Sequence, residues 1–183
     1  MEKQIVLSNI PDMVHSVTNF IFSKEEPKPG DMIHFQRALY QHWGIYVGDG
    51  YLIHFTLPDW DETIKEVLAG KTLKATIRKD PLKVVGGNLP YGVYNQYDKQ
   101  QSPLSAEEIV KRAESLLGLQ LPYNVMKSNC EHFATMMRYG TPQEGQAGWL
   151  GFTADPEFVS QIIQKLREGI KENDHCCQND LEF

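Results

Sequence analysis

Residues 42–55, HWGIYVGDGYLIHF, restrict this chain more than any other stretch. Aromatic and β-branched residues flank Gly48-Asp49-Gly50, the signature of an antiparallel hairpin closed by a tight turn. Loop length then sets which face each side chain takes. A two-residue loop, Asp49-Gly50, places Ile45 opposite His54 and sends His42 and His54 to opposite faces. A three-residue loop, Gly48-Asp49-Gly50, pairs Val47 with Tyr51, Ile45 with Ile53 and Trp43 with Phe55. The second register is expected, because it gathers these six large apolar residues on one face and supplies Gly50 for a left-handed position. Gly44 then lies opposite His54, and His42 is its diagonal neighbour at roughly 7–8 Å between backbones. Both histidines share a face, where the small Gly44 leaves room. On these grounds alone they read either as half-buried sheet residues with satisfied hydrogen bonds or as a functional pair.

The rest of the chain builds a small antiparallel sheet and helices around that hairpin, an α+β class of fold. A strand is expected near residues 32–35, and further strands in LKATIR, LKVV and GVYNQY. Ser105 with Glu108 three positions on is a capping box. It opens a helix whose apolar stripe runs through Ala106, Ile109, Val110, Ala113, Leu116 and Leu117 to Gly118. A second helix begins near Cys130, with Ser128 or Asn129 as cap, Arg138 in its last turn and Gly140 as its stop. Asp155-Pro156 opens a third, with Phe158, Val159, Ile162, Ile163, Leu166 and Ile170 on one face. Residues 13–22 have helical apolar spacing and are followed by the prolines of SKEEPKPG. The expected organisation is an N-terminal amphipathic segment and linker over 1–26, the main domain over 27–145, and a C-terminal amphipathic helix with a loose polar tail over 146–183.

Charge narrows the partners. With 18 Lys plus Arg against 24 Asp plus Glu, the net charge of −6 argues against a nucleic-acid binder. Of the three cysteines, Cys176 and Cys177 are adjacent in the tail and Cys130 stands alone, so no disulfide framework is expected and a reducing compartment suits the chain. No apolar window is long enough for a spanning helix, and the expectation is a soluble or peripherally attached cytoplasmic protein.

Cys130 reads by itself as a buried small hydrophobe. At a helix N-terminus, however, backbone donors and partial positive charge stabilise a thiolate. A thiol there, facing a sheet that carries His42, has the nucleophile-and-base arrangement of thiol acyl transfer.

The stretches PGDMIHFQRALYQHWGIYVGDGYLIHF and NCEHFATMMRYG resemble the two signature blocks of the lecithin:retinol acyltransferase family, which includes the H-Ras-suppressor-like phospholipase A/acyltransferases. The resemblance covers about residues 27–142, including the helix IVKRAESLLG and the tyrosine of LPYN. It implies a circularly permuted papain-like fold, with Cys130 as nucleophile, His42 as base and His54 as the third polar member. It further implies attack of Cys130 on a glycerophospholipid ester at a membrane surface, and a thioester then passed to water, an amine or a lysophospholipid. No cofactor and no metal ion are implied. Two alternatives stay open: a retinol acyltransferase, towards which VKRAESLLG and RYGTP lean, and a non-catalytic lipid-binding module.

Many members of the family end in a hydrophobic anchor, which the final stretch here does not resemble. Lipid contact is expected to be peripheral, through Phe158, Ile162 and Leu166 or through Val17, Phe20 and Ile21, unless the C-terminal helix simply packs on its own core. His132 is expected on a helix surface or in packing, Gly86-Gly87-Asn88 in a turn, and His15, His34 and His175 have no evident role.

Overall fold

The structure, a computed structural model, describes residues 26–37, 40–58, 60–143 and 153–178. The expected N-terminal helix over 13–22 lies outside them. Strands β1 (Met32–Gln36), β2 (Gln41–Gly48), β3 (Tyr51–Thr56), β4 (Leu73–Pro81), β5 (Tyr91–Val93) and β6 (Gln120–Tyr123) form one sheet. Its order is β5-β1-β2-β3-β4-β6, antiparallel throughout. The helices among the described residues are α1 (Trp60–Leu68), α2 (Leu82–Gly86), α3 (Ala106–Ser115), α4 (Cys130–Tyr139) and α5 (Pro156–Gln178).

The hairpin reaches the expected register by a different route. Ile45 pairs with Ile53, but Gly48, not Val47, faces Tyr51, with the register shifting between Tyr46 and Gly48. The loop is therefore the two-residue Asp49-Gly50 turn, both residues at positive φ (51° and 78°). A bulge at Val47 adds back the residue that the shorter loop omits. Turn chemistry and face segregation thus both prevail, and the bulge reconciles them.

LKVV does not form a strand. Pro81 caps a short helix from an extended conformation (φ −61°, ψ 130°), and Leu82–Gly86 turns back over the sheet as α2. Leu82 buries itself against Ile33, Phe35 and Leu52, a small second core on the face away from the main helices. Of GVYNQY, only Gly92 and Val93 join β5. Neither α1 nor β6 is evident in the sequence pattern.

The main core lies on the other face. Trp43, Ile45, Ile53 and Phe55 pack there with Phe133, Met136 and Met137 of α4. Phe158, Ile162 and Leu166 of α5 join the same core, and Phe158 stacks 5.6 Å from Phe55. Phe158, Ile162 and Leu166 of α5 are therefore internal packing and not a lipid-facing surface. That helix also continues to Gln178, through residues expected to be a loose tail. At α3, Ser105 Oγ accepts the Glu108 N–H at 3.2 Å. The helix ends at Ser115, and Leu117 is left exposed in the turn beyond it.

Candidate active site

Asn129 governs the start of α4. Its side-chain oxygen accepts the N–H groups of Glu131 (2.9 Å) and His132 (3.0 Å), and its own N–H is donated to Nδ1 of His132 at 3.3 Å. This is a capping box in which histidine replaces the usual Glu or Gln. Gly140, left-handed at φ 82°, ends the helix. His132 is thus a buried capping residue.

Cys130 is the first residue of α4 and is only 2% exposed. Its thiol donates to the Gln41 carbonyl oxygen at 3.8 Å, and the Tyr123 hydroxyl donates to Sγ at 3.4 Å. Burial pushes the thiol up to about 11, with the Tyr123 hydrogen bond working in the opposite direction. The helix-terminal donors expected to favour a thiolate are largely occupied, because Asn129 takes two of them. Here desolvation outweighs the helix terminus.

The two histidines meet on the opposite face. His42 pairs across the sheet with Phe35, a residue of the smaller core, and His54 pairs with Arg78. Both are 4% exposed, with Nε2 of His42 lying 2.7 Å from Nδ1 of His54. A Cβ on Gly44 would collide with Cδ1 of Leu52 and come 3.2 Å from Cβ of His54, so the space that glycine leaves is filled first by Leu52 of the smaller core. Burial holds His42 well below 6.5, reinforced by His54, Arg37 and His34. Burial also lowers His54, with Asp80 partly offsetting it.

The histidine pair does not stop at two residues. Nε2 of His54 is 2.9 Å from Oδ2 of Asp80, and both oxygens of that carboxylate lie 3.0 Å from Nη2 of Arg78. The His54 hydrogen bond pulls Asp80 down to about 2. Asp80 was not among the site residues expected from the sequence. The available signal was alternation: Ala75 and Ile77 enter the main core, so Thr76, Arg78 and Asp80 share the face of His54. Tyr123 was noted only within the family resemblance, and its contact with Cys130 depends on β6 returning beside α4.

Thiol and imidazoles therefore approach from opposite faces. Both border the start of β2, where Sγ touches the carbonyl of Gln41 and His42 is the next residue. A polar pocket of about 290 Å³ opens beside the pair, lined in part by Arg37, Tyr40, His42, His54, Asp80 and Val84. Arg37 also hydrogen-bonds the Val85 carbonyl, tying β1 to α2 over this pocket. His34 lies elsewhere, with its ring 4.5 Å from Trp43, and burial lowers it to about 4. Among the described residues no group of three or more His, Cys, Asp or Glu side chains is arranged to hold a metal ion.

A family model described as Lecithin retinol acyltransferase matches residues 25–143. Phospholipase A and acyltransferase 3 of Mus musculus is 42% identical over 123 residues, covering 66% of this chain and 76% of the relative. Phospholipase A and acyltransferase 2 of Homo sapiens is 41% identical over 126 residues, covering 68% and 78%. Phospholipase A and acyltransferase 1 of Homo sapiens is 42% identical over 141 residues, covering 75% and 81%.

Proposed function

The chain belongs to the lecithin retinol acyltransferase family, and from that membership we propose that it is a thiol-dependent phospholipase A and acyltransferase in which Cys130 is the nucleophile, His42 the base and His54 its orienting partner. The observation that carries this reading is the 2.7 Å contact between the buried His42 and His54, one residue along β2 from the carbonyl that touches the Cys130 thiol.

With the thiol pushed up to about 11 and His42 held well below 6.5, both groups rest neutral. Proton transfer accompanies attack and does not precede it. His42 takes the thiol proton while Sγ bonds to the ester carbonyl carbon of a glycerophospholipid. Collapse of the tetrahedral intermediate breaks the ester C–O bond. The departing lysophospholipid oxygen takes the proton from His42, and the acyl chain remains as a thioester. Water, the amine of phosphatidylethanolamine or a lysophospholipid hydroxyl then attacks the thioester. His42 accepts the proton of the incoming group and returns it to the sulfur.

The polar lining of the pocket, with Arg37 and Arg78 beside the histidines, suits the ester and phosphate region of a lipid better than its acyl chains. Val84 on its rim is 73% exposed, an apolar residue where a lipid surface would approach. No helix among the described residues is long and apolar enough to cross a membrane. The proposed contact with lipid is peripheral, from the cytoplasmic side.

The test is incubation with phosphatidylcholine vesicles in EDTA, followed by intact-mass measurement and product analysis with phosphatidylethanolamine and retinol as acceptors. An adduct of one acyl mass on Cys130, absent in Cys130→Ser, is expected, with fatty acid and N-acylated lipid as products. Undiminished acyl release by Cys130→Ser overturns the nucleophile. Retinyl ester as sole product replaces the acceptor assignment, and tight lipid binding without turnover makes the chain a binding module.

A further inference from the structure

We infer that Asp80 is a positioning residue: through His54 it sets the tautomer of both histidines and keeps Nδ1 of His42 free of hydrogen, ready to take a proton. Its role in turnover rests on the function proposed above, whereas its effect on the tautomers rests on geometry alone.

The chain of donors runs one way. An ionised carboxylate can only accept, so the 2.9 Å contact with Oδ2 of Asp80 requires the hydrogen of His54 to sit on Nε2. A neutral imidazole carries one N–H, which makes Nδ1 of His54 an acceptor. The atom 2.7 Å away, Nε2 of His42, must then be the donor. His42 has its single hydrogen committed there, leaving Nδ1 as the basic nitrogen. Burial keeps both rings neutral, which is the condition for this relay to hold.

Asp80 is itself held in place. Arg78 contacts both carboxylate oxygens at 3.0 Å, and Arg78 is the cross-strand partner of His54. The Asp80 side chain is 21% exposed, at the margin of the pocket and outside both apolar cores. Its loss should therefore disturb hydrogen bonding far more than folding. Without it, His54 can carry its hydrogen on Nδ1 instead. His42 must then accept through Nε2, which moves its own hydrogen to Nδ1 and blocks the base.

The experiment uses the full chain labelled with 15N-histidine, as wild type and as Asp80→Ala, Asp80→Asn and Asp80→Glu, with circular dichroism checking the fold. Imidazole 15N shifts report the tautomers, and intact mass reports the rate of acyl-cysteine formation from phosphatidylcholine across pH. Wild type should show hydrogen on Nε2 of both rings. Asp80→Ala and Asp80→Asn should show mixed tautomers and acylate roughly 10-fold more slowly, well inside the 10²–10⁴-fold worth of a complete acid–base group. Asp80→Glu should restore much of both. Wild-type hydrogen on Nδ1 of His42, or unchanged tautomers in both Asp80→Ala and Asp80→Asn, overturns the inference. So does an unchanged acylation rate. If wild type forms no acyl-cysteine although Asp80→Ala shifts the tautomers, the proposed chemistry fails and the tautomer control stands.

Discussion

Tyr123 donates its hydroxyl to the Cys130 thiol across 3.4 Å, joining the last residue of β6 to the first residue of α4. The contact favours the thiolate, against the burial that raises it. Tyr123→Phe keeps the ring, which packs 5.2 Å from Phe55, and removes only that donor. Stability should change by about 1 kcal/mol or less. Acyl-cysteine formation should slow severalfold, and an unchanged rate would limit the hydroxyl to packing.

The histidines differ in what they contribute. His42→Ala removes the proposed base and should cost about 10²–10⁴-fold in turnover. His54 bridges His42 and Asp80, so Asn or Gln, which can still hydrogen-bond, should retain more activity than Ala. Steady-state kinetics on phosphatidylcholine vesicles separates the cases. Equal losses for all three replacements at His54 would argue against orientation.

Stability should be greatest between about pH 6.5 and 9. His34, His42 and His54 are buried with pKa values below 6.5, so below that pH the unfolded chain binds more protons and stability falls. Asp80, lowered from 3.8 to about 2, adds a further loss as pH falls through that interval. Cys130 is raised from 9.0 to about 11, so above pH 9 the unfolded thiol ionises first and stability falls again. Thermal melts across pH would trace this dome, and a plateau extending unchanged from pH 6.5 to 4 would contradict it.

Helix α5 separates packing from lipid contact. Phe158 and Ile162 are buried in the main core, so Ile162→Ala should cost about 2–5 kcal/mol and Phe158→Ala about 3–5 kcal/mol in urea unfolding. Val84→Ser, at a site 73% exposed, should stay within about 0.5 kcal/mol. It should instead weaken vesicle binding. Near-native stability of both core variants would mean that this face of α5 is not packed as described.

Local patterns in the chain were enough to identify the parts with short-range causes. The hairpin, the Ser105 cap, the helix beginning at Cys130 and the pairing of Ile45 with Ile53 follow from turn residues, caps and alternation. The contact between His42 and His54 was legible too, because strand register carries side chains to predictable faces. The bulge at Val47 was not, since it settles a conflict between turn geometry and core burial. Nor was α2: a β-branched pair after Pro81 reads as strand until Leu82 is given a second apolar face to cover. Tertiary structure alone decided the rest. It brought Tyr123 to the thiol, seated Asn129 on the donors of α4 so that burial controls Cys130, and laid β4 beside β3 so that Asp80 meets His54. Each of these depends on elements distant in sequence or on desolvation, which exist only once the sheet and helices have assembled.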